Sequence, residues 1–253
     1  MRTLVTGRAG LEIGGPSTFF RDELPVYLEI GRLDNVNFSR STIWEGTIEP
    51  GETFVFDPKR APGRQYILEA TRLTEIGDGA YDVVLSSHTL EHSANPLLAL
   101  AEWRRVLRPG ATLVLVLPHK EGTFDHARPV TSLEHLEEDY RRGTAETDLT
   151  HLEEILQLHD LALDPPAGSA EEFAARSRQN ATNRGLHHHV FSTALALATV
   201  DRAGFEVLAV EPMLPFHIVV VARRDGERPS NNSFTHPDAR WRTKSPFRLD
   251  RAG

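Results

Sequence analysis

YDVVLSSHTLEHSANPLLALAEWRRVLRPGATLVLVLP, residues 81–118, is the stretch on which the fold turns. It opens with YDVVLSS and closes with ATLVLVLP, both short, continuous and rich in β-branched residues. Continuous apolar runs of that kind suit parallel strands covered on both faces. Between them, Asn95 fits a helix N-cap, Pro96 fits the first helical position, and Pro109-Gly110 fits a stop. Leu97, Leu100, Ala101 and Leu107 share one face at helical spacing. A strand, a helix and a strand in so short a span make a βαβ crossover.

The same grammar returns toward the carboxyl end. VFSTALALATVDRAGF reads as a helix closed by Gly204, and EVLAVEPM and FHIVVVARR read as an antiparallel edge pair turning around Pro215. From His119 to Gly185 no strand is expected. Three short helices are, each with a capping box: Thr131 with Glu134, Thr150 with Glu153, and Ser169 with Glu172. This helical insertion follows a strand whose carboxyl end faces the ligand crevice, so it suits a lid or an acceptor pocket. The expected organisation is one domain over residues 1–224, with the insertion at 119–185. Residues 225–253 are expected to form a polar tail ordered only against a neighbour.

Composition narrows the function. The 253 residues, 40% hydrophobic and 25% charged, describe an ordinary soluble globular chain. A net charge of -8 argues against a broad grip on nucleic acid or anionic membrane. The absence of cysteine excludes disulfides and thiolate metal sites. No segment has the length of a membrane span, and MRTLVTGRAG lacks the apolar run of a signal peptide, so a cytoplasmic protein is expected.

The amino-terminal third supplies a nucleotide end. GLEIGGPS, residues 10–17, reads as a strand ending in an acid and then glycines, which let a backbone approach a ligand closely. LDNVNFS places Asp34 22 residues after Glu12, a spacing suited to an acid that binds ribose hydroxyls. YILEATRL places Glu69 and Ala70 at the end of a third strand. With these in order before it, the 81–118 stretch resembles the class I S-adenosylmethionine-dependent methyltransferases, particularly the group with LEH after the fourth strand. The resemblance covers roughly residues 10–118 and resumes over 190–223. It implies an α/β, Rossmann-like fold: a seven-stranded, mostly parallel sheet with an antiparallel last strand, flanked by helices. It also implies S-adenosylmethionine as methyl donor. On that resemblance Gly14 and Gly15 would lie against the donor's methionine part, with Glu12 supporting their loop. Asp34 would bind the ribose, Glu69 and Ala70 would border the adenine, and Ser86, Ser87 and His88 would line the donor.

Two features depart from the family pattern. Pro16 stands where a second loop glycine is common, and it cannot donate a backbone hydrogen bond. Residues 37–63 are a poor helix and suggest a hairpin-like excursion where the family has a crossover helix. A dinucleotide oxidoreductase would need Gly-x-Gly-x-x-Gly, which GGPSTF lacks.

Eight of the twelve histidines lie between His119 and His189. A metal site needs several imidazoles or carboxylates to converge. His151 and His159 would sit about 12 Å apart along one helix, and neighbours in His187-His188-His189 point in different directions. Metal is therefore not expected. A hydroxyl acceptor is helped by a neutral histidine base. His126, beside Asp125, is the first candidate, and His188 is the second. Arg128 can hold an anionic acceptor or pair with an acid of the insertion. The resulting expectation is methyl transfer to oxygen or nitrogen of a small polar acceptor, with sugars and nucleotide-sugars suiting such a pocket. Neither nucleic acid nor membrane is an expected partner, and the oligomeric state is open. A non-catalytic binding module that kept the fold is the alternative.

Overall fold

The two apolar runs of the 81–118 stretch become neighbouring strands at the centre of a sheet. A computed structural model describes residues 1–225 and 230–252. Helix α1 (Arg2–Val5) precedes β1 (Ala9–Ile13) and β2 (Arg32–Asn37). A small hairpin, β3 (Ser41–Thr42) and β4 (Gly46–Thr47), leads to β5 (Gly51–Phe54) and β6 (Gly63–Ile67). The crossover is β7 (Tyr81–Ser87), α2 (Pro96–Val106) and β8 (Leu107–Pro118). Four helices follow: α3 (Leu133–Arg142), α4 (Leu152–Leu158), α5 (Ala170–Arg178) and α6 (Asn180–Asn183). Then come α7 (Thr193–Arg202), β9 (Glu206–Met213) and β10 (His217–Arg223), with α8 (Asn232–Thr235), α9 (Arg240–Lys244) and α10 (Arg248–Arg251) behind them.

Eight strands lie in the order β5-β6-β2-β1-β7-β8-β10-β9. β6, β2, β1, β7 and β8 run parallel, and β10 is antiparallel to both of its neighbours. This is the Rossmann-like sheet expected from the sequence, with its last strand reversed. The additional strand is β5, which the 37–63 excursion lays antiparallel on β6. Alternate residues of the central strands feed two separate cores, which explains their unbroken apolar character. Leu113, Leu115 and Leu117 pack with Leu100 and Trp103 of α2 and with Leu197 of α7. Val114 and Val116 pack on the other face with Phe19, Phe20 and Tyr27. That second face is covered not by a long helix but by a π turn at Phe19–Glu23 and a 3-10 turn at Val26–Leu28.

Helix ends follow side-chain chemistry. Asn95 Oδ1 accepts the Leu98 N–H at 3.1 Å, and Pro96 fills the first position of α2. That helix ends at Val106, before Pro109-Gly110, because Leu107 already pairs with Tyr81 in the sheet. In the insertion, the Ser169–Glu172 capping box forms as read. The other two caps differ. Ser132, not Thr131, caps α3 through the His135 N–H, since Thr131 is spent on pairing with Val190. His151 stands at the start of α4 without a side-chain cap, because Asp148 engages Thr150.

The largest departure is the carboxyl-terminal segment. It needs no neighbour to be ordered. Ala239 and Trp241 join the main core, and the Trp241 indole donates to the Phe234 carbonyl at 2.8 Å. Asn231 bonds Asp201, the Phe205 carbonyl and the Val207 N–H, which fixes the segment to the end of α7 and the start of β9. Residues 226–229 and 253 of the expected tail lie outside the described residues. Trp241→Ala should therefore lower unfolding free energy by about 3–5 kcal/mol, the cost of emptying a core site of that size. Chemical denaturation checks this, and a change within about 0.5 kcal/mol would mean a surface position.

Candidate functional site

A cavity of about 1110 Å³ opens at the carboxyl ends of β1, β2, β6 and β7. This is the crevice where strand order reverses in an open parallel sheet. Its floor is the loop after β1. Gly14 holds φ at +84° and faces the cavity, and a Cβ there would meet Thr89 Oγ1 at 2.5 Å. A side chain is excluded on both grounds.

Glu12 fixes that loop from below. Its carboxyl is wholly buried and accepts from the Tyr27 hydroxyl at 2.7 and 2.9 Å and from the Ser17 N–H at 3.1 Å. Gly15 lies against Glu12 rather than the cavity, since a Cβ on it would sit 2.2 Å from the carboxyl carbon. Burial, with a smaller push from Glu45, lifts Glu12 to about 8 against the bonds from Tyr27 and Ser17.

The expected donor residues divide in two. Glu69, Ala70, Ser87 and His88 line the cavity with Gly14. Asp34 does not. Its carboxylate lies deep in β2 and accepts from Arg32 Nε, the Arg64 N–H and the Tyr81 hydroxyl. β2 continues beyond Asp34 to Asn37, and its end meets the cavity through Val36 and Asn37, of which Asn37 is the polar one. Its amide donates to Asn35 and to the Gly15 carbonyl, leaving Oδ1 available as an acceptor. Ser86 is also displaced. The alternation of β7 buries it completely, with Oγ unpartnered, while Ser87 turns into the cavity.

Neither expected base reaches the cavity. His126 is a surface residue whose Nε2 pairs with Asp160 at 3.0 Å. His188 is buried, and its Nε2 accepts from the Asn180 amide at 3.0 Å. Burial, then His151, drives its pKa down to about 3, so it neither holds nor takes a proton near neutrality. The member of the triple run that lines the cavity is His187. Its Nδ1 donates to Asp125 at 2.5 Å, and its Nε2 lies 4.0 Å from Glu91 Oε1. Burial would lower this ring, but Asp125 and then Glu91 outweigh it and raise its pKa. Arg128 proves to be an internal pairing residue. It bonds Asp125 and Glu154 and the carbonyls of His187 and His188.

Glu91 and His92 complete this end of the cavity. His92 Nδ1 donates to the Leu186 carbonyl at 3.0 Å, leaving Nε2 free. Burial, then His187, lowers His92 to about 4. Glu91 is fully buried, and neither carboxylate oxygen has a hydrogen-bond partner among the described residues, His88 Nδ1 standing 3.7 Å from Oε1. Burial would raise it, but His88, His92 and His187 together hold it below the usual carboxylate range. Glu91, His92 and His187 could also ligate an ion, their candidate atoms lying within 4.8 Å of one another. On the insertion side, Arg184 reaches across the cavity and pairs with Glu69 at 2.6 Å.

Comparison with known proteins bears on the fold that holds this cavity. Residues 49–115, from the excursion through most of β8, match the methyltransferase-domain family. No curated protein matches the chain. A Mesorhizobium loti S-adenosylmethionine-dependent methyltransferase superposes with TM-score 0.50 at 14% identity, covering 87% of this chain and 92% of that one. The methyltransferase in a Haloferax volcanii complex with a methyltransferase activator gives TM-score 0.50 at 13% identity, covering 88% and 84%. The Burkholderia thailandensis 1,6-didemethyltoxoflavin-N1-methyltransferase, solved with bound S-adenosylhomocysteine, gives TM-score 0.47 at 13% identity, covering 87% and 72%. The chain has the fold of S-adenosylmethionine-dependent methyltransferases, and its residues 49–115 match the methyltransferase-domain family.

Glu12 makes the loop pH-sensitive. Its folded pKa of about 8 exceeds the ordinary 4.5, so its favourable contribution is complete below pH 4.5 and is lost as pH rises through 8. The slope should approach about 1.4 kcal/mol per pH unit within that window. Glu12→Gln, which mimics the protonated carboxyl, should flatten the dependence in denaturation curves. A variant as steep as the parent protein would assign the slope to other groups.

Proposed function

We propose that this S-adenosylmethionine-dependent methyltransferase acts on a hydroxyl or amine of a small polar acceptor held between Glu91 and His187. The observation that carries the reading is that Glu91 and His187 line a cavity floored by the Gly14 loop, with His187 backed from behind by Asp125. The cavity's volume of about 1110 Å³ exceeds that of a typical single-ligand pocket. Both a donor and a small acceptor therefore fit.

The residues present suit the donor. Gly14 gives the methionine part close access to the backbone, Asn37 Oδ1 can accept from a ribose hydroxyl, and Ala70 offers an apolar edge to the adenine. Bound there, the donor supplies an electrophilic methyl group on a sulfonium sulfur. The chain's task is then alignment and proton handling. Glu91 accepts from one polar hydrogen of the acceptor, on a group beside the reacting one, and orients it. The neutral form of His187 takes at Nε2 a different proton, that of the reacting oxygen or nitrogen, as the new bond to carbon forms and the methyl carbon's bond to sulfur breaks. Asp125 holds Nδ1–H, so the ring keeps one tautomer and its positive charge is compensated. An acceptor rich in hydroxyls, such as a sugar or nucleotide-sugar, suits this lining of imidazoles and carboxylates. The helical insertion serves as the lid that closes over it and excludes water.

Calorimetry with S-adenosylmethionine and S-adenosylhomocysteine tests the donor claim, and no saturable binding of either by folded protein would defeat it. Asn37→Ala should weaken that binding about tenfold, the loss of one useful hydrogen bond. Once an acceptor is identified, His187→Ala and Asp125→Asn should lower kcat by about 10²–10⁴-fold with donor affinity unchanged. Full turnover of His187→Ala at saturating acceptor across pH would remove the base from the mechanism.

A further inference from the structure

A second group of imidazoles lies outside the cavity, where the insertion meets the core. His135 and Asp139 are one turn apart on α3, so they project from the same helical face. His151 begins α4, and His189 ends the triple run just before α7. His135 Nε2 lies 2.9 Å from His151 Nε2 and 3.3 Å from Asp139 Oδ2. His189 Nε2 lies 3.7 Å from the same Asp139 oxygen. One ligand atom from each of the three histidines falls within 4.8 Å of the others.

Two further observations point to a ligand. Asp139 Oδ2 is buried and makes no hydrogen bond, although Oδ1 is fixed by the Thr144 hydroxyl at 2.9 Å. His189 is almost fully buried, at 1% exposure; its Nε2 also stands 3.4 Å from the Ala94 carbonyl, and its Nδ1 has no hydrogen-bond partner among the described residues. Buried polar atoms without a partner are uncommon, and each calls for an explanation. The spacing says what that is. Zinc bonds to nitrogen and carboxylate oxygen of about 2.0–2.1 Å imply tetrahedral edges of about 3.3 Å. Three of the six distances within such a set, 2.9, 3.3 and 3.7 Å, bracket that edge. Imidazole-rich donor sets favour zinc and its transition-metal neighbours over magnesium or calcium.

We infer that His135, His151 and His189 hold a zinc ion, with the neighbouring Asp139 carboxylate turning in on binding to close a tetrahedral site that clamps α3 and α4 of the insertion to the segment leading into α7. Four protein ligands leave no position for substrate, so the ion's role is structural. The Thr144 hydroxyl on Asp139 orients the carboxylate in the way outer partners of metal ligands do. The site differs from the Glu91–His92–His187 group, which opens on the cavity and whose His187–Glu91 separation is 4.0 Å. Nothing in the inference depends on methyl transfer, so the failure of one reading leaves the other standing.

The test uses the full chain without a histidine tag. The protein is stripped with a chelator, then titrated with zinc against a chromophoric competitor and, separately, with cobalt(II). One equivalent of zinc should bind and raise the melting temperature, and cobalt(II) should give the intense visible bands of tetrahedral coordination. His135→Ala and His151→Ala should lose that equivalent, and Glu91→Gln should retain it. Absence of stoichiometric zinc, a weak octahedral cobalt spectrum, or loss of the ion in Glu91→Gln but not in His151→Ala would each overturn the assignment. Should the histidine variants fail to fold, the cobalt spectrum of the unaltered protein still decides, since it reports the geometry directly.

Discussion

A buried guanidinium sets the geometry at the working end of this molecule. Arg128 is 1% exposed, and stripping water from such a charge costs several kcal/mol unless its donors are met. They are met by groups from distant parts of the chain: Asp125 beside it, Glu154 of α4, and the carbonyls of His187 and His188. One bond network therefore ties the exit of β8, the insertion and the approach to α7. Because Arg128 holds Asp125 Oδ1, only Oδ2 remains to engage His187. The orientation of the ring in the cavity is a consequence of where that arginine sits.

The sheet was legible because its physics is local. Runs such as ATLVLVLP are apolar at every position, and only a strand buried on both faces uses every position that way. Helix α2 could be read for the same reason, with its Asn95 cap and Pro96 written into consecutive residues. The site was legible only to within a residue or three. Asp34 has the right chemistry, yet β2 runs on to Asn37, and strand length is set by pairing with β1 and β6 rather than by β2's own residues. Ser86 was misplaced by the two-residue alternation of β7, whose phase depends on which core each side packs into. The carboxyl-terminal segment looked like a tail because its apolar residues, Ala239, Trp241 and Phe247, are scattered without period. Each fills a separate gap in a core made by other elements.

Two buried glutamates illustrate how burial and charge divide labour. In the cavity, Glu91 is surrounded by His88, His92 and His187, and their combined influence keeps a fully buried carboxylate ionised. At the loop after β1, Glu12 is equally buried, but its surroundings offer hydroxyl and amide donors rather than imidazoles, and its pKa is raised. One carboxyl is suited to receive a positive or proton-donating partner, and the other to stay put under a glycine turn. Sequence alone shows two glutamates next to small or polar residues. Only the packing separates them.

The triple histidine run has a final implication, for what can change here. Leu186 is tied through its N–H to Asn180, and Val190 through its N–H to Thr131, so both ends of the run are nailed down. Between those anchors, successive rings serve the cavity, the Asn180 amide and the α3 cluster. Such a segment has no slack. Adding or deleting one residue would shift the phase of all three rings at once, sending each into its neighbour's chemistry. Loops of this kind ordinarily vary in length more freely than in composition. For residues 187–189 the order is inverted, and length is the quantity held fixed.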